Sequence, residues 1–257
     1  MVKGLYTAYT GMVNQQNRMD VLTNNLANSA TTGYKKEGST SQSFDSVLAY
    51  KIKDTTYAAR AQKIGTMNLG VKIGENYTNY EQGSFRSTGN MYDLALSGPG
   101  FFALEFTNKA GATSTKYTRD GSFTLNTQGY LVNKDGNFLL NSEGRRIQLN
   151  PMTDASVDEM GRIYQNGNVV TRVGLTDFAD YNYLEHYGEN YYEPVEGATT
   201  KAATAMVNSG YLEMSNVQVV NEMVELISVT RAYESNQKVV QTIDSSLEIA
   251  ANQLGKL

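Results

Sequence analysis

The chain holds 257 residues with a formal charge of -4 and 19% charged side chains, room for one large or two small domains with a buried core. Its mean hydropathy of -0.43, and the lack of an apolar run of membrane-spanning length, exclude direct membrane insertion by a helix, while the acidic balance removes the electrostatic basis for binding nucleic acid. With no cysteine and one histidine, disulfides, thiolate metal sites and cysteine nucleophiles are excluded together, and little is left for histidine-based catalysis.

The opening residues, Met1-Val2-Lys3-Gly4-Leu5-Tyr6-Thr7, do not read as a cleavable secretory signal, which points to the cytoplasm or to export that leaves the N-terminus uncut. Leu5, Ala8, Met12, Gln15, Met19, Leu22 and Leu26 then recur at alternating steps of three and four, predicting a helix with a heptad seam. It should stop where Asn28-Ser29-Ala30-Thr31-Thr32-Gly33 gathers residues that favour local backbone bonding and left-handed caps. Residues 31–70, rich in Ser, Thr and Lys and punctuated by Gly33, Gly38, Gly65 and Gly70, read as an extended connection. Its apolar residues Phe44, Val47, Leu48, Ile52 and Ile64 argue for lying on a neighbour over a freely solvated linker.

From about Val71 to Val207 the texture changes to short alternating runs such as Leu94 and Leu96, Phe101 to Phe106, Tyr130 to Val132 and Phe138 to Leu140. Asp120-Gly121, Asp135-Gly136 and Asn166-Gly167 fall between such runs and supply the positive φ that tight hairpins need, predicting an antiparallel β domain.

Chemistry is sparse in this region. His186 has only the loop carboxylates Glu185 and Glu189 near it, a poor metal signature. Asn133-Lys134-Asp135-Gly136-Asn137 imitates the start of a calcium loop, but its glycine is misplaced and Gly144 stands where the closing Glu belongs. Gly98-Pro99-Gly100 lacks the later glycine or lysine of a phosphate cradle and reads as a turn into a strand. Asp93, Asp120 and Asp135 offer acids for glycoside chemistry, yet two of the three occupy turn positions that Asp favours for backbone reasons. No catalytic residue, metal site or cofactor is assigned. The segment 177–196 holds six carboxylates, five tyrosines and no Lys or Arg; its tyrosines suit a sugar-stacking face or a subunit contact, and the segment equally suits a solvated acidic loop.

At the C-terminus, Ser215 with Gln218 fits a capping box and Met214 with Val219 a hydrophobic staple. From there Val219, Met223, Leu226, Thr230, Tyr233, Gln237, Val240, Asp244, Leu247, Ala251 and Leu254 follow the same alternating step, up to Gly255. Either stripe alone also suits a helix lying on its own domain's core. Together they predict an α+β fold: terminal α-helices paired as a coiled coil with an inserted antiparallel β domain. The expected segments are an N-terminal axial helix (1–30), an extended connection (31–70), the β domain (71–209) and a C-terminal axial helix (210–257) pairing with the first. A C-terminal helix of about 40 residues spans roughly 60 Å and an N-terminal one of about 25 spans roughly 37 Å, leaving about 20 Å or more of seam without an intrachain partner. An exposed stripe of that kind marks an assembly surface, on which polar Gln15, Thr230, Gln237 and Asp244 fix register or mark drift toward solvent.

Separated motifs then occur in order: Asn24-Asn25-Leu26-Ala27-Asn28 with Thr32-Gly33-Tyr34-Lys35; Asp93-Leu94-Ala95-Leu96 with Gly98, Gly100, Phe101 and Phe102; and Tyr117-Thr118-Arg119-Asp120-Gly121-Ser122-Phe123. Near the C-terminus come Gly210-Tyr211-Leu212-Glu213 with Ser215-Asn216-Val217, Glu222-Met223-Val224 and Arg231-Ala232-Tyr233-Glu234. In these the chain resembles the flagellar rod and hook family of bacterial axial proteins. The resemblance implies a non-enzymatic subunit of the basal-body rod, outside the cytoplasmic membrane, whose helix pair forms the inner tube of a helical assembly around an export channel. It implies further copies, other rod and hook subunits and the flagellar type III export apparatus as partners. Phe44-Asp45-Ser46-Val47-Leu48 is similar to the Phe-x-x-x-hydrophobic segment such subunits present to the export gate, and reads equally as a packed linker. Two rival readings remain: a secreted peptidoglycan-binding or hydrolysing module using the Tyr-rich segment and one of the Asp residues, and an oligomerising export adaptor that stays in the cytoplasm.

Overall fold

The computed structural model describes residues 2–45, 47–51, 62–108, 111–188 and 190–254. The chain forms two compact units, one of Met1–Ala27, Glu37–Asn79 and Gln218–Leu257, the other of Asn28–Lys36 and Tyr80–Val217. The architecture is mixed α+β, with a helix at each end and antiparallel strands between them.

In the first unit, α1 (Val2–Ala27) and α2 (Val219–Leu254) lie against each other and run antiparallel. A Cβ added at Gly4 would stand 3.7 Å from Ile243, and one at Gly11 3.0 Å from Asn236. Farther along, Arg18 pairs with Glu225 at 2.7 Å and Asn25 donates to Glu222 at 3.2 Å. Partner numbers fall as α1 numbers rise. Gly4 and Gly11 are one heptad apart, as are Asn236 and Ile243, so two glycines let that column of α2 approach the α1 backbone.

The face of α2 turned to α1 is therefore displaced by one residue from the predicted stripe. Glu222 and Val229 are buried, whereas Val219 and Met223 are exposed, as is Leu247 at 41%. Leu226, Tyr233 and Val240, shared by both columns, are half-buried, as are Leu5, Met12, Met19 and Leu26 on α1, while Leu22 is buried. The cap differs too. Ser215 accepts from the Val217 amide at 3.2 Å, and the Gln218 carbonyl accepts the first helical bond from Glu222 at 3.0 Å, so Gln218 is the N-cap. With 36 residues in α2 against 26 in α1, the length difference is about 15 Å, smaller than expected from the sequence.

Residues 37–78 do not run as a single extended connection. β1 (Glu37–Ser43) pairs with β4 (Val71–Thr78), and β2 (Val47–Lys51) pairs with β3 (Gln62–Met67), all antiparallel. α1 lies on this double hairpin through Asn14, which donates to Ser41 at 2.9 Å, and through Asn25, which donates to the Glu37 carbonyl at 2.8 Å. Residue 52 and the side chains of Val47, Leu48, Ile64 and Leu254 lie outside the described residues.

The second unit contains β5 (Phe85–Ser87), β6 (Leu94–Ser97), β7 (Phe101–Thr107) and β8 (Thr113–Thr118), and is organised by a nine-stranded antiparallel sheet. β7 is central, paired with β8 and with the strands Leu175–Phe178 and Phe138–Leu139. Successive strand residues point to opposite faces, and both faces of β7 are covered. Phe102 and Leu104 join Leu94, Leu96 and Phe123 in the larger core, while Phe101 joins Phe178 and Tyr192 in a second one.

The turns sort themselves by glycine chemistry. Asn166 and Gly167 adopt φ of 50° and 77° between directly paired Gln165 and Asn168, the predicted two-residue hairpin. Gly136, at φ 84°, also fits its predicted turn. Gly121 does not: it lacks positive φ, and a Cβ there would stand 1.6 Å from the Leu94 carbonyl oxygen, so glycine is needed for close backbone approach. A turn form not singled out from the sequence recurs at Asn126, Asn133, Asn141 and Asp158. Each carbonyl accepts from a glycine amide three residues on, and each amide donates to the carbonyl four residues on.

Candidate functional site

Two features of the structure go beyond a packed core: a buried ionic junction inside the β unit and an apolar surface on the helical unit. The junction is assembled from three stretches distant in sequence. The segment 28–36 brings Lys35, the end of β8 leads into Arg119, and the strand Tyr211–Glu213, held by pairing with β5, brings Glu213. Lys35 is 1% exposed, Glu213 1% and Arg119 4%.

Lys35 Nζ donates to Glu213 Oε1 at 2.6 Å and to the Glu81 carbonyl at 2.7 Å. Arg119 donates to Glu213 Oε2 at 3.3 Å and to the Gly98 carbonyl at 2.9 Å, and the Gly83 amide adds 3.0 Å to Glu213 Oε1. Burial pulls the Lys35 pKa down, Glu213 holds it up part of the way, and Arg119 adds to the lowering. Around the ions the backbone is stitched across: the Gly33 amide donates to the Glu213 carbonyl at 2.8 Å, Lys36 N–H to Asn216 at 2.7 Å, and the Thr32 hydroxyl to Asp120 at 2.7 Å. Gly33 sits at φ 71°, and a Cβ there would be 2.4 Å from the Asp120 nitrogen. One carboxylate facing two cations and the Gly83 amide is a structural clamp.

The apolar surface lies on the helices. On α2, Val219, Val220, Met223, Val224 and Ile227 are exposed at helical spacing, Val220 to 72%. On α1, Tyr6, Tyr9 and Val13 form a second exposed stripe. Phe44 of the predicted export segment packs near Tyr6, with ring centroids 6.4 Å apart.

The acidic, Tyr-rich segment is tied into the β unit. Tyr181 and Tyr192 stack with Tyr80 and Phe101 in an aromatic cluster, and are thereby withdrawn from the open sugar-stacking face considered from the sequence. Buried Asp177 accepts from the Phe178 amide at 2.8 Å and the Tyr181 hydroxyl at 2.7 Å, and pairs with Lys201 at 3.0 Å. Burial alone raises its pKa, but these three donors outweigh it and the carboxyl sits below its ordinary value. Burial and the neighbouring Asp177 push Tyr181 up to about 12. Tyr191, half-buried and donating to Asp135, is raised further. The His186 ring lies edge-on to Tyr192 at 5.3 Å. Asp93 accepts from Asn90 at 3.2 Å and Asp120 from Ser122 N–H at 3.1 Å, so both serve turns. Among the described residues no three of His, Asp and Glu gather as metal ligands, and no helix is long and apolar enough to cross a membrane.

In the sequence Lys35, Arg119 and Glu213 stand within motifs with nothing to mark them as partners. Basic and acidic residues inside otherwise small or apolar motifs were the available signal.

Three family models match in chain order: flagella basal body rod protein over residues 5–35, flagellar hook protein FlgE/F/G D1 domain over 95–171, and flagellar basal body rod FlgEFG protein C-terminal over 208–254. Each matched segment contributes one ion to the junction. Over nearly its whole length the chain is similar to the flagellar basal-body rod protein FlgG of Bacillus subtilis, at 33% identity covering 98% of this chain and 99% of that one. It is 30% identical to the flagellar hook-basal body complex protein FlhO of the same organism and 30% to the flagellar basal-body rod protein FlgF of Caulobacter vibrioides, each over 100% of both chains.

Proposed function

This chain belongs to the flagellar basal-body rod and hook family, and from that premise we propose that copies of it, with other rod and hook subunits, polymerise into a helical tube that transmits torque and encloses the export channel. It is a structural subunit of the basal body, and its work is mechanical, without catalysis. The observation that carries the reading is the exposed stripe Val220, Met223, Val224 and Ile227 on a long helix already held against α1. Single-chain packing leaves that stripe in water; a neighbouring copy removes it.

In the assembly α1 and α2 wind as a coiled coil, with Leu5, Met12, Met19, Leu22, Leu26, Leu226, Tyr233 and Val240 along and beside the seam. Val219, Met223 and Leu247 face neighbours, and Leu254 continues the same stripe in sequence. Subunits reach the rod through the flagellar type III apparatus without losing an N-terminal signal, and Phe44 and Leu48 are presented to the export gate while the chain is unfolded. The FlgG relatives and the chain's match along its full length favour a distal position in the rod.

Val224→Asp tests the reading, because the side chain is 63% exposed and its replacement leaves the single chain's core untouched. The variant should keep the parent's circular dichroism and thermal midpoint, yet be missing from purified basal bodies of non-swimming cells. Normal swimming by both Val224→Asp and Met223→Asp removes the stripe from the account.

A further inference from the structure

The apolar surface of the helical unit contains a groove of about 220 Å³ between α1 and the double hairpin, lined by Tyr9, Val13, Phe44, Val71, Lys72 and Ile73. Tyr9, Val13 and Ile73 are exposed despite their size. Lys72 is exposed and has no ion-pair partner among the described residues.

The complementary feature lies on α2. Because Gly4 faces Ile243, the turns of α2 that follow run past the start of α1. This overhang carries Leu247 and Ile249, 41% and 56% exposed. Asp244 and Glu248 flank Leu247 at steps that put all three on one side of the helix, and neither carboxylate has an ion-pair partner among the described residues. An apolar groove with a free ammonium and an apolar ridge with two free carboxylates match in both hydrophobicity and charge.

The chain cannot join these two surfaces within itself. The groove is level with Tyr9 to Asn14 of α1, whereas the overhang projects beyond the other side of Gly4, on the order of 17 Å away along the same rigid pair. Resting on the rod-subunit reading above, we infer that the occupant of the groove is the α2 overhang of a second copy of this chain, with Leu247 seated against Val13 and Ile73 and with Glu248 or Asp244 on Lys72. The two surfaces differ, so the contact is heterologous and repeats head to tail without closing on a pair. A few side chains on each face are too small an area for a stable dimer, and the contact gains strength only when repeated along an array.

Because the chain has no cysteine, disulfide trapping reads the contact directly. Full-length chain carrying Ile73→Cys and Leu247→Cys is assembled into rods, oxidised and run without reductant. The expected result is a ladder of trimers and larger species; each single variant alone should stay monomeric, and a mixture of the two should stop at dimers. Monomers from double-variant rods that assembled normally overturn the contact while the rod reading stands. Absence of the parent chain from basal bodies overturns the rod reading itself. A ladder or dimer from Leu247→Cys alone also overturns the heterologous contact. In parallel, Lys72→Glu should lower assembled rods about tenfold, and adding Asp244→Lys with Glu248→Lys in the same chain should restore them. Unchanged assembly in Lys72→Glu, or no rescue, counts against the pairing.

Discussion

Glu213→Gln is the sharpest probe of the β unit. Among the described residues Glu213 is the sole carboxylate paired with both Lys35 and Arg119, and it lies 1% exposed. Glutamine keeps the shape and accepts one hydrogen bond, but leaves two buried cations facing carbonyl oxygens alone. Removing one partner from a buried ion pair costs about 3–5 kcal/mol. In a unit of this size that lowers the melting temperature by roughly 10 °C. The assay is urea unfolding of the full-length chain followed by near-ultraviolet tyrosine dichroism, repeated from pH 7 to pH 9.5.

The pH dependence adds a second constraint. Burial already holds the Lys35 pKa below 10.5, and Glu213 opposes that lowering. A lysine whose folded pKa is depressed weighs against folding below that pKa, and the penalty fades as pH rises from the folded value toward 10.5. Without Glu213 the folded pKa drops further and the ammonium sheds its proton more readily. The gap between Glu213→Gln and parent should therefore shrink toward alkaline pH. A combined Lys35→Met, Arg119→Met, Glu213→Leu variant should be less destabilised than Glu213→Gln, because no buried charge is then unpaired. A loss under about 1 kcal/mol, or a gap that widens with pH, refutes the clamp.

Gly33→Ala should cost more than about 2 kcal/mol, because a positive φ and a backbone clash act together, while Gly136→Ala, with positive φ and nothing within 4 Å, should cost only about 1 kcal/mol in the same urea titration. Phenolate absorbance should show Tyr181 and Tyr191 ionising above the ordinary tyrosine range. Raised folded pKa values favour the native state below pH 10, and that stability is lost as pH climbs through about 12 for Tyr181. Val229→Asp, on a buried site facing α1, should unfold the helical unit at a cost of several kcal/mol, whereas Val224→Asp should leave its thermal midpoint in place.

The helices were legible because the stripes are long and apolar, and antiparallel strands because dipeptides such as Asp135-Gly136 and Asn166-Gly167 punctuate them. The exact face of α2 was not. The inner column carries polar Glu222 before Leu226 and Val229, while apolar Val219 and Met223 stand one position away in water, so apolar spacing alone favours the outer column. What distinguishes them is the closeness allowed by Gly4 and Gly11 on the other helix, a property of the pair. The double hairpin was missed for a different reason. β1 reads Glu-Gly-Ser-Thr-Ser-Gln-Ser, without apolar alternation, and is held by its ladder to β4 and by polar contacts such as Asn14 to Ser41. Its signal lies in backbone pairing, which side-chain periodicity does not report.

The ionic junction was illegible because its members are 94 and 178 residues apart, yet its location explains why charge is spent in a core. Residues 28–36 directly follow α1, and residues 213–217 directly precede α2. Within the β unit these two passages are bound side by side through Gly33 to Glu213 and Lys36 to Asn216. Pairing α1 with α2 from an unfolded chain closes a loop of roughly 190 residues; once the β unit has folded, the effective closure is about 10, which reduces the entropic cost by roughly 2–3 kcal/mol. Apolar side chains at the same place would hold the passages together but tolerate sliding. A carboxylate taking Lys35 Nζ at 2.6 Å and Arg119 at 3.3 Å fixes one register. It follows that Glu213→Gln should also raise amide exchange at the first turn of α2 and the last turn of α1, although neither touches Glu213. Exchange unchanged at both helix ends, with the β unit measurably loosened, separates the two units' folding and removes this link.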